Sequence, residues 1–328
     1  MRFLLAILLF TTACYAQAAP EQILSDDAIR IHEFYRLDDQ IQNQIWPNWS
    51  QTPTPVLLVT PDTEFLTHHP APPQDFKKMN DEFFARPRKF STAFLATFPA
   101  FGPPSVIVVG EPKNTNSKTS TPWVITLMHE HFHQLQAAQP GYYRAVDALG
   151  LARGDNTGMW MLNYPFPYNK PEVAQGFTQL RDLLFAALNE KDEGKFHGLA
   201  KQYVEARKKF FAQLALDDHK YLSFQLWQEG IARYTEVKVA EAAAKYQPIA
   251  EYSALADFEA FDTYAPKPRQ YALNELKQVD LAKSGRLAVY PFGAAEGFLL
   301  DRINPSWKDD YFKQMLSTDS YFVLRIKN

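Results

Sequence analysis

The chain has 328 residues, 46% of them hydrophobic and 22% charged, the balance of a globular protein with material for a sizeable core. A net charge of −3 and the lack of any long Lys/Arg run exclude a basic nucleic-acid-binding surface; Arg207-Lys208-Lys209 reads as a solvated helix face. Cys14 is the only cysteine, which excludes a disulfide framework and any cysteine metal site.

Residues 1–18 read as a signal peptide. Arg2 supplies the positive start, Phe3 to Phe10 the apolar core, and Ala16-Gln17-Ala18 the small-x-small cleavage site. That core is too short to cross a bilayer, so no transmembrane helix is expected after cleavage. The mature chain is expected to start near Ala19 and to be periplasmic or secreted from a bacterium. A lipid anchor on Cys14 is the rival expectation, weakened by Thr11 standing where a larger aliphatic residue is usual.

Apolar residues at mixed spacings of three and four over Ile23–Ile45 predict an amphipathic helix, ended by Pro47. Pro55–Thr60 and Ser105–Gly110 are β-branched runs bounded by Pro and Gly and predict buried strands; Phe65–Thr67 and Ala93–Phe98 are weaker strand signals. After the polar loop Glu111–Thr121, a helix is predicted with Thr121 as its cap and Pro122 at its first position, stopped by Pro140-Gly141. Gly154–Lys170 reads as an aromatic loop. Helices then dominate, over about 171–189, 195–214, 219–245, 266–284, 290–302 and 306–316, with a weak terminal strand at Tyr321–Ile326. The expectation is an α+β fold, one domain over 19–328, with a sheet-containing part at 19–115 and a helical part at 116–328.

The helix after the polar loop carries His129-Glu130-His131-Phe132-His133, an H-E-x-x-H pattern. Residues four apart on a helix stand one turn above each other, so the imidazoles of His129 and His133 can share one cation. Glu130 lies roughly 100° round from His129 and can reach over the open side of that cation to take a proton from water. A hydrolytic zinc needs a third protein ligand. The metzincin completion fails, because Gln136 and Gln139 stand where its Gly and His would be.

Far downstream lies Trp227-Gln228-Glu229-Gly230-Ile231-Ala232-Arg233-Tyr234. H-E-x-x-H followed by E-G-x-A-x-Y resembles the gluzincin zinc peptidases, the clan of aminopeptidase N-like and thermolysin-like enzymes. The resemblance implies one Zn2+ ion held by His129, His133 and Glu229. Small residues at Gly230 and Ala232 suit a close approach of two helices. Glu236, seven residues beyond Glu229, returns to the same face and can orient a ligating histidine. Tyr290-Pro291-Phe292-Gly293 resembles the Y-x-x-G of the same families, which implies Tyr290 as a hydrogen-bond donor to the oxyanion. The motifs cover about 121–140 and 220–302. Two departures stand out: 95 residues (134–228) separate His133 from Glu229, and Ala96–Pro104 replaces the G-x-M-E-N segment that holds a free amino group in aminopeptidases.

The resulting expectation is an exported zinc metallopeptidase with a peptide or protein substrate, Glu130 as base and Tyr290 as oxyanion donor. The early strand Ser105–Val109 is expected to form the sheet edge that pairs with an extended peptide. An aminopeptidase acting on free N-termini and a non-catalytic envelope binding protein remain as alternatives. His131 faces away from His129 and reads as a hydrogen-bonded core histidine; His68-His69 lie in an expected loop with substrate contact as the alternative, and the aromatic stretch Trp160–Tyr168 reads first as packing, with lining of a cleft as its alternative.

Overall fold

The computed structural model describes residues 22–323, so the signal-peptide and Cys14 readings and the second half of the terminal strand lie outside the described residues. The fold is α+β: a six-stranded sheet near the N-terminus and a larger helical body. The strands are β1 (Val56–Val59), β2 (Thr63–Thr67), β3 (Lys77–Lys78), β4 (Phe83–Pro87), β5 (Leu95–Phe98) and β6 (Val106–Gly110). Their spatial order is β3-β4-β2-β1-β6-β5, antiparallel throughout except for the parallel pair β1–β6.

Alternate side chains on a strand point to opposite faces, and here each face has its own core. Val56, Leu58, Phe65, Ile107 and Val109 join the main helical core, while Leu57, Val59, Leu66, Val106 and Val108 pack with Phe76 on the other side. Burial on both faces explains why β1 and β6 read as unbroken apolar runs.

The helices are α1 (Ser25–Ile45), α2 (Ser120–Ala137), α3 (Tyr142–Ala148), α4 (Trp160–Asn163), α5 (Pro171–Asn189), α6 (Glu193–Gln213), α7 (Leu216–Gln225), α8 (Ile231–Ala242), α9 (Ala250–Ser253), α10 (Phe261–Tyr264), α11 (Lys267–Gln278), α12 (Leu281–Ser284), α13 (Val289–Ile303) and α14 (Lys308–Tyr311). Between α7 and α8 the rod passes through one π-helical turn, Leu226–Gly230, without breaking. No helix of the described residues is long and apolar enough to cross a membrane.

Helix α2 runs between the sheet and α8, with α1 against both helices. Nearly every side chain from Trp123 to Gln136 is buried. Two hydrogen-bonded anchors fix its register on the sheet. Trp123 Nε1 donates to Gly110 O at the end of β6 (3.0 Å), and Gln134 Nε2 donates to Pro55 O and Ser105 O just before β1 and β6 (3.0 and 2.8 Å). On the far side, Trp46, Trp227 and Trp307 are wholly buried around Tyr311. Each such ring contributes on the order of 2–3 kcal/mol of burial free energy.

Three expectations are corrected. Helix α2 begins at Ser120, not after Thr121; the cap position is Thr119, and the Ser120 and Thr121 hydroxyls donate to Asp257 and to Glu259 O instead of capping. The strand Ser105–Val109 is not a sheet edge: β6 lies between β1 and β5, and the edge nearest α2 is β5. Tyr321 closes a short 3-10 turn, Asp319–Tyr321, so its backbone does not start a strand.

Candidate metal centre and active site

His129 and His133, one turn apart on α2, and Glu229 of the π turn bring one donor atom each to within 4.8 Å of one another. This buried group could hold a metal ion. His133 Nε2 and Glu229 Oε2 are 3.5 Å apart. Two ligands on a tetrahedral zinc with bonds of about 2.1 Å are separated by roughly 3.4 Å, so the spacing and the donor set fit.

The histidines are oriented from behind. His129 Nδ1 lies 3.0 Å from Glu236 Oε2, and Arg233 Nη1 holds the other Glu236 oxygen at 2.7 Å. Burial alone would raise the Glu236 carboxyl, but Arg233 and the hydrogen bond to His129 outweigh it and bring it down to about 2. An ionised acceptor keeps the proton on His129 Nδ1 and leaves Nε2 free for a cation.

For His133 the same task falls to Gln136. The Gln136 Nε2 donates to Trp227 O and Gln228 O, both at 3.1 Å, and backbone carbonyls only accept. That fixes Oε1 toward His133 Nδ1 at 2.7 Å, so Nδ1 carries the proton. The Gln228 amide lies 3.1 Å from the same nitrogen, but its other arm meets the Tyr142 hydroxyl, which accepts either role. Gln228 therefore follows the tautomer and does not set it. Gln136 thus stands where the metzincin pattern has Gly and ties α2 to the π turn.

The pair of His133 and Glu229 is polarised. Burial pushes the His133 imidazole down, but the hydrogen bond and charge of Glu229 more than reverse this, to about 9. Burial pushes Glu229 up, and His133 and Arg286 outweigh it, to about 2. The ligand carboxylate is therefore ionised at any ordinary pH.

Glu130 sits at the seam between α2 and the sheet edge. Thr97 Oγ1, on β5, lies 2.8 Å from Glu130 Oε2 and 2.9 Å from Glu130 O, and its one proton serves one of them at a time. Tyr290 opens α13, its ring 6.5 Å from that of His129. Burial and the Glu229 charge beside it raise the phenol, so it stays an O–H donor at neutral pH. Arg286, one turn earlier, places Nη1 3.3 Å from Tyr290 Oη and 3.7 Å from Glu229 Oε1.

The structure therefore gathers His129, Glu130, His133, Glu229, Glu236 and Tyr290 around one point. His131 is wholly buried, stacked on Trp49, with Nδ1 on Gln134 at 2.9 Å. His68 stacks on Tyr35 and His69 meets Phe101, both away from the histidine pair. Trp160 and Tyr164 pack on Phe224 and Tyr221, and Tyr234 donates to Asp301.

Thr97, Gln136, Gln228, Arg233 and Arg286 were not foreseen. For three of them a local signal existed: Gln136 follows His133 by three, Arg233 precedes Glu236 by three, and Arg286 precedes Tyr290 by four. Thr97 reaches the site only through the fold. No family model, curated protein or solved structure matches the chain.

Proposed function

We propose that the protein is a zinc-dependent hydrolase of gluzincin type that cleaves peptide bonds. One observation carries this reading: two imidazoles and an ionised carboxylate bring one donor atom each to within 4.8 Å of one another, and the residue after the first histidine is a carboxylate. Three protein donors of types N, N and O leave a fourth position for water or substrate, the arrangement of catalytic rather than structural zinc. Zinc bound there supplies Lewis-acid polarisation of a water and of the scissile carbonyl.

The chain's own groups do the rest. Glu130, steadied by Thr97, accepts a proton from the water whose oxygen attacks the carbonyl carbon. The same carboxyl returns that proton to the amine nitrogen as the C–N bond breaks. Tyr290 donates its phenolic hydrogen bond to the oxyanion.

Substrate alignment falls to β5. Gly110 N donates to Phe94 O, so in the antiparallel register Ala96 and Phe98 also face β6, and the N–H and C=O groups of Leu95 and Thr97 point off the sheet edge. An extended peptide paired with that edge runs past Glu130. On the strength of residues 1–18 alone, the proposal places this activity outside the cytoplasm.

The test is zinc content and digestion of a peptide library by the purified protein and by Glu130→Gln. The expected result is one zinc per chain in both, with turnover reduced at least about 100-fold in the variant. Protein that binds no zinc, or a variant that cleaves at the native rate, rules the reading out. Blocked and free N-termini in the same library separate an endopeptidase from an aminopeptidase.

A further inference from the structure

Arg286 lies in the 3-10 turn Gly285–Ala288 that leads into α13. Only its Nη1 has partners among the described residues, and none is close: Tyr290 Oη at 3.3 Å, Gln225 Oε1 at 3.4 Å and Glu229 Oε1 at 3.7 Å. The Nε and Nη2 donors have no hydrogen bond there, and the side chain is 20% exposed at the wall of the site. Compare Arg207, whose fork is filled by Glu296, Asp319 and Thr318. A guanidinium is a rigid fork built for two parallel bonds to a carboxylate, and the Nε and Nη2 edge of this one is unfilled among the described residues.

Charge balance points the same way. A divalent cation held by His129, His133 and Glu229 would be neutralised by Glu229 and Glu130, and Glu236 is paired with Arg233. Arg286 remains as an uncompensated positive charge beside Tyr290. Its one carboxylate neighbour among the described residues, Glu229, would be committed to that cation.

We propose that Arg286 determines specificity by receiving a carboxylate of the substrate on the Tyr290 side of the scissile bond. This rests on the peptidase reading above. The carboxylate is either the C-terminal group of the peptide, which makes the enzyme an exopeptidase, or an Asp or Glu side chain. Gln225 and Tyr290 both meet Nη1, leaving the Nε and Nη2 edge of the fork for the ligand. A charge-assisted bond of this kind corresponds to about a 10- to 100-fold gain in affinity.

The test uses the full zinc-loaded protein carrying Glu130→Gln, so that binding is read without turnover. The probes are an N-acetylated Ala/Phe heptapeptide with a free C-terminus, its C-terminal amide, and that amide bearing a single Glu. Calorimetry is expected to show a carboxylate-bearing form binding about 10- to 100-fold tighter than the plain amide. At saturating zinc, adding Arg286→Gln should abolish that preference, and Arg286→Lys should restore part of it. Preference for the free C-terminus identifies an exopeptidase, and preference for the Glu form identifies side-chain selection. Equal affinities for all three peptides, undetectable ones included, or a preference that survives Arg286→Gln, overturn the proposal. Failure of the peptidase reading shows separately, as a Glu130-containing protein that binds zinc but cleaves nothing.

Discussion

Gly230 and Gly293 touch backbone to backbone where the π turn crosses α13. A Cβ built on Gly230 would lie 2.7 Å from Gly293 Cα, and one on Gly293 would clash as badly with Gly230 Cα. The contact sits one residue after the candidate ligand Glu229 and three after Tyr290. It therefore sets the distance between the third donor and the phenol. Neither glycine has a positive φ; what each supplies is the absence of a side chain at a crossing. Gly293→Ala is expected to cost about 1–3 kcal/mol through overpacking and to weaken zinc binding by moving the turn. Gly198→Ala, on α6 with nothing near its missing Cβ, is the control and should be neutral or stabilising by up to about 1 kcal/mol. Urea denaturation and zinc titration of the two variants distinguish a packed crossing from a general glycine effect; equal behaviour would rule the crossing out.

Behind His129, the Arg233–Glu236 pair predicts a loss confined to metal affinity. Glu236→Gln retains the shape but removes the charge that holds His129 in its tautomer. Zinc affinity should fall about 10- to 100-fold, as is usual when the group behind a ligating histidine is removed. Competition with a chelator measures this directly, and an unchanged dissociation constant would mean that Glu236 serves packing alone.

In metal-free protein the His133–Glu229 pair makes stability depend on pH from both sides. His133 is raised from 6.5 to about 9, so its contribution is fully present below pH 6.5 and disappears as pH rises through 9. Glu229 is lowered from 4.5 to about 2, so its contribution is present above pH 4.5 and disappears as pH falls through 2. A cation takes neutral imidazole, so zinc binding at pH 7 should release the His133 proton. That release should vanish by about pH 10. Calorimetry in buffers of different ionisation enthalpy reads the proton count, and a His133 contribution that is the same at both pH values would contradict the pairing.

The sequence showed some of this architecture and hid the rest for physical reasons. β1 and β6 were legible because Pro and Gly bound apolar runs that are buried on both faces. β4 was not, because its buried Arg86 pairs with Glu64, wholly buried on β2, and the strand ends on Pro87. A charged residue buried against a partner from another strand looks like a loop in a one-dimensional pattern. The paired His129 and His133 were legible because helical spacing is local. Glu229 was found through a resemblance, and its π turn leaves no periodic signature. Thr97 could not be found at all, since its contact with Glu130 depends on β5 being the sheet edge over α2.

That edge contact gives a prediction of its own. Thr97→Val keeps the β-branched shape of the strand and removes the one side-chain hydrogen bond that the Glu130 carboxylate makes among the described residues. The folded state should be little changed, because Thr97 is half-buried at an edge. Turnover should fall about tenfold through looser placement of the base, and zinc content should stay at one per chain. Thr97→Ser, which returns the hydroxyl, should recover most of the rate. Equal rates for the valine and serine variants would exclude a positioning role.

Lys308 offers a test away from the site. Its Nζ donates to Ile45 O at the end of α1 (3.2 Å) and lies 4.9 Å from the ring centres of both Trp46 and Tyr234. Burial among these rings lowers the ammonium from 10.5 to about 8, although the Asp301 charge opposes it. The unfolded chain then binds more protons than the folded one between pH 8 and 10.5, so stability should rise with pH across that window. The slope from this one group is at most about 1.4 kcal/mol per pH unit. Lys308→Met keeps an unbranched stem in the aromatic pocket and removes the charge. Below pH 8 it should match or exceed the parent by about 1 kcal/mol, because replacing a desolvated charge with an apolar side chain is often stabilising. Urea denaturation of both proteins at pH 7 and pH 10 gives the difference between them, which cancels every other titrating group. The variant's advantage should shrink as pH rises; a constant difference would mean that Lys308 titrates alike in both states.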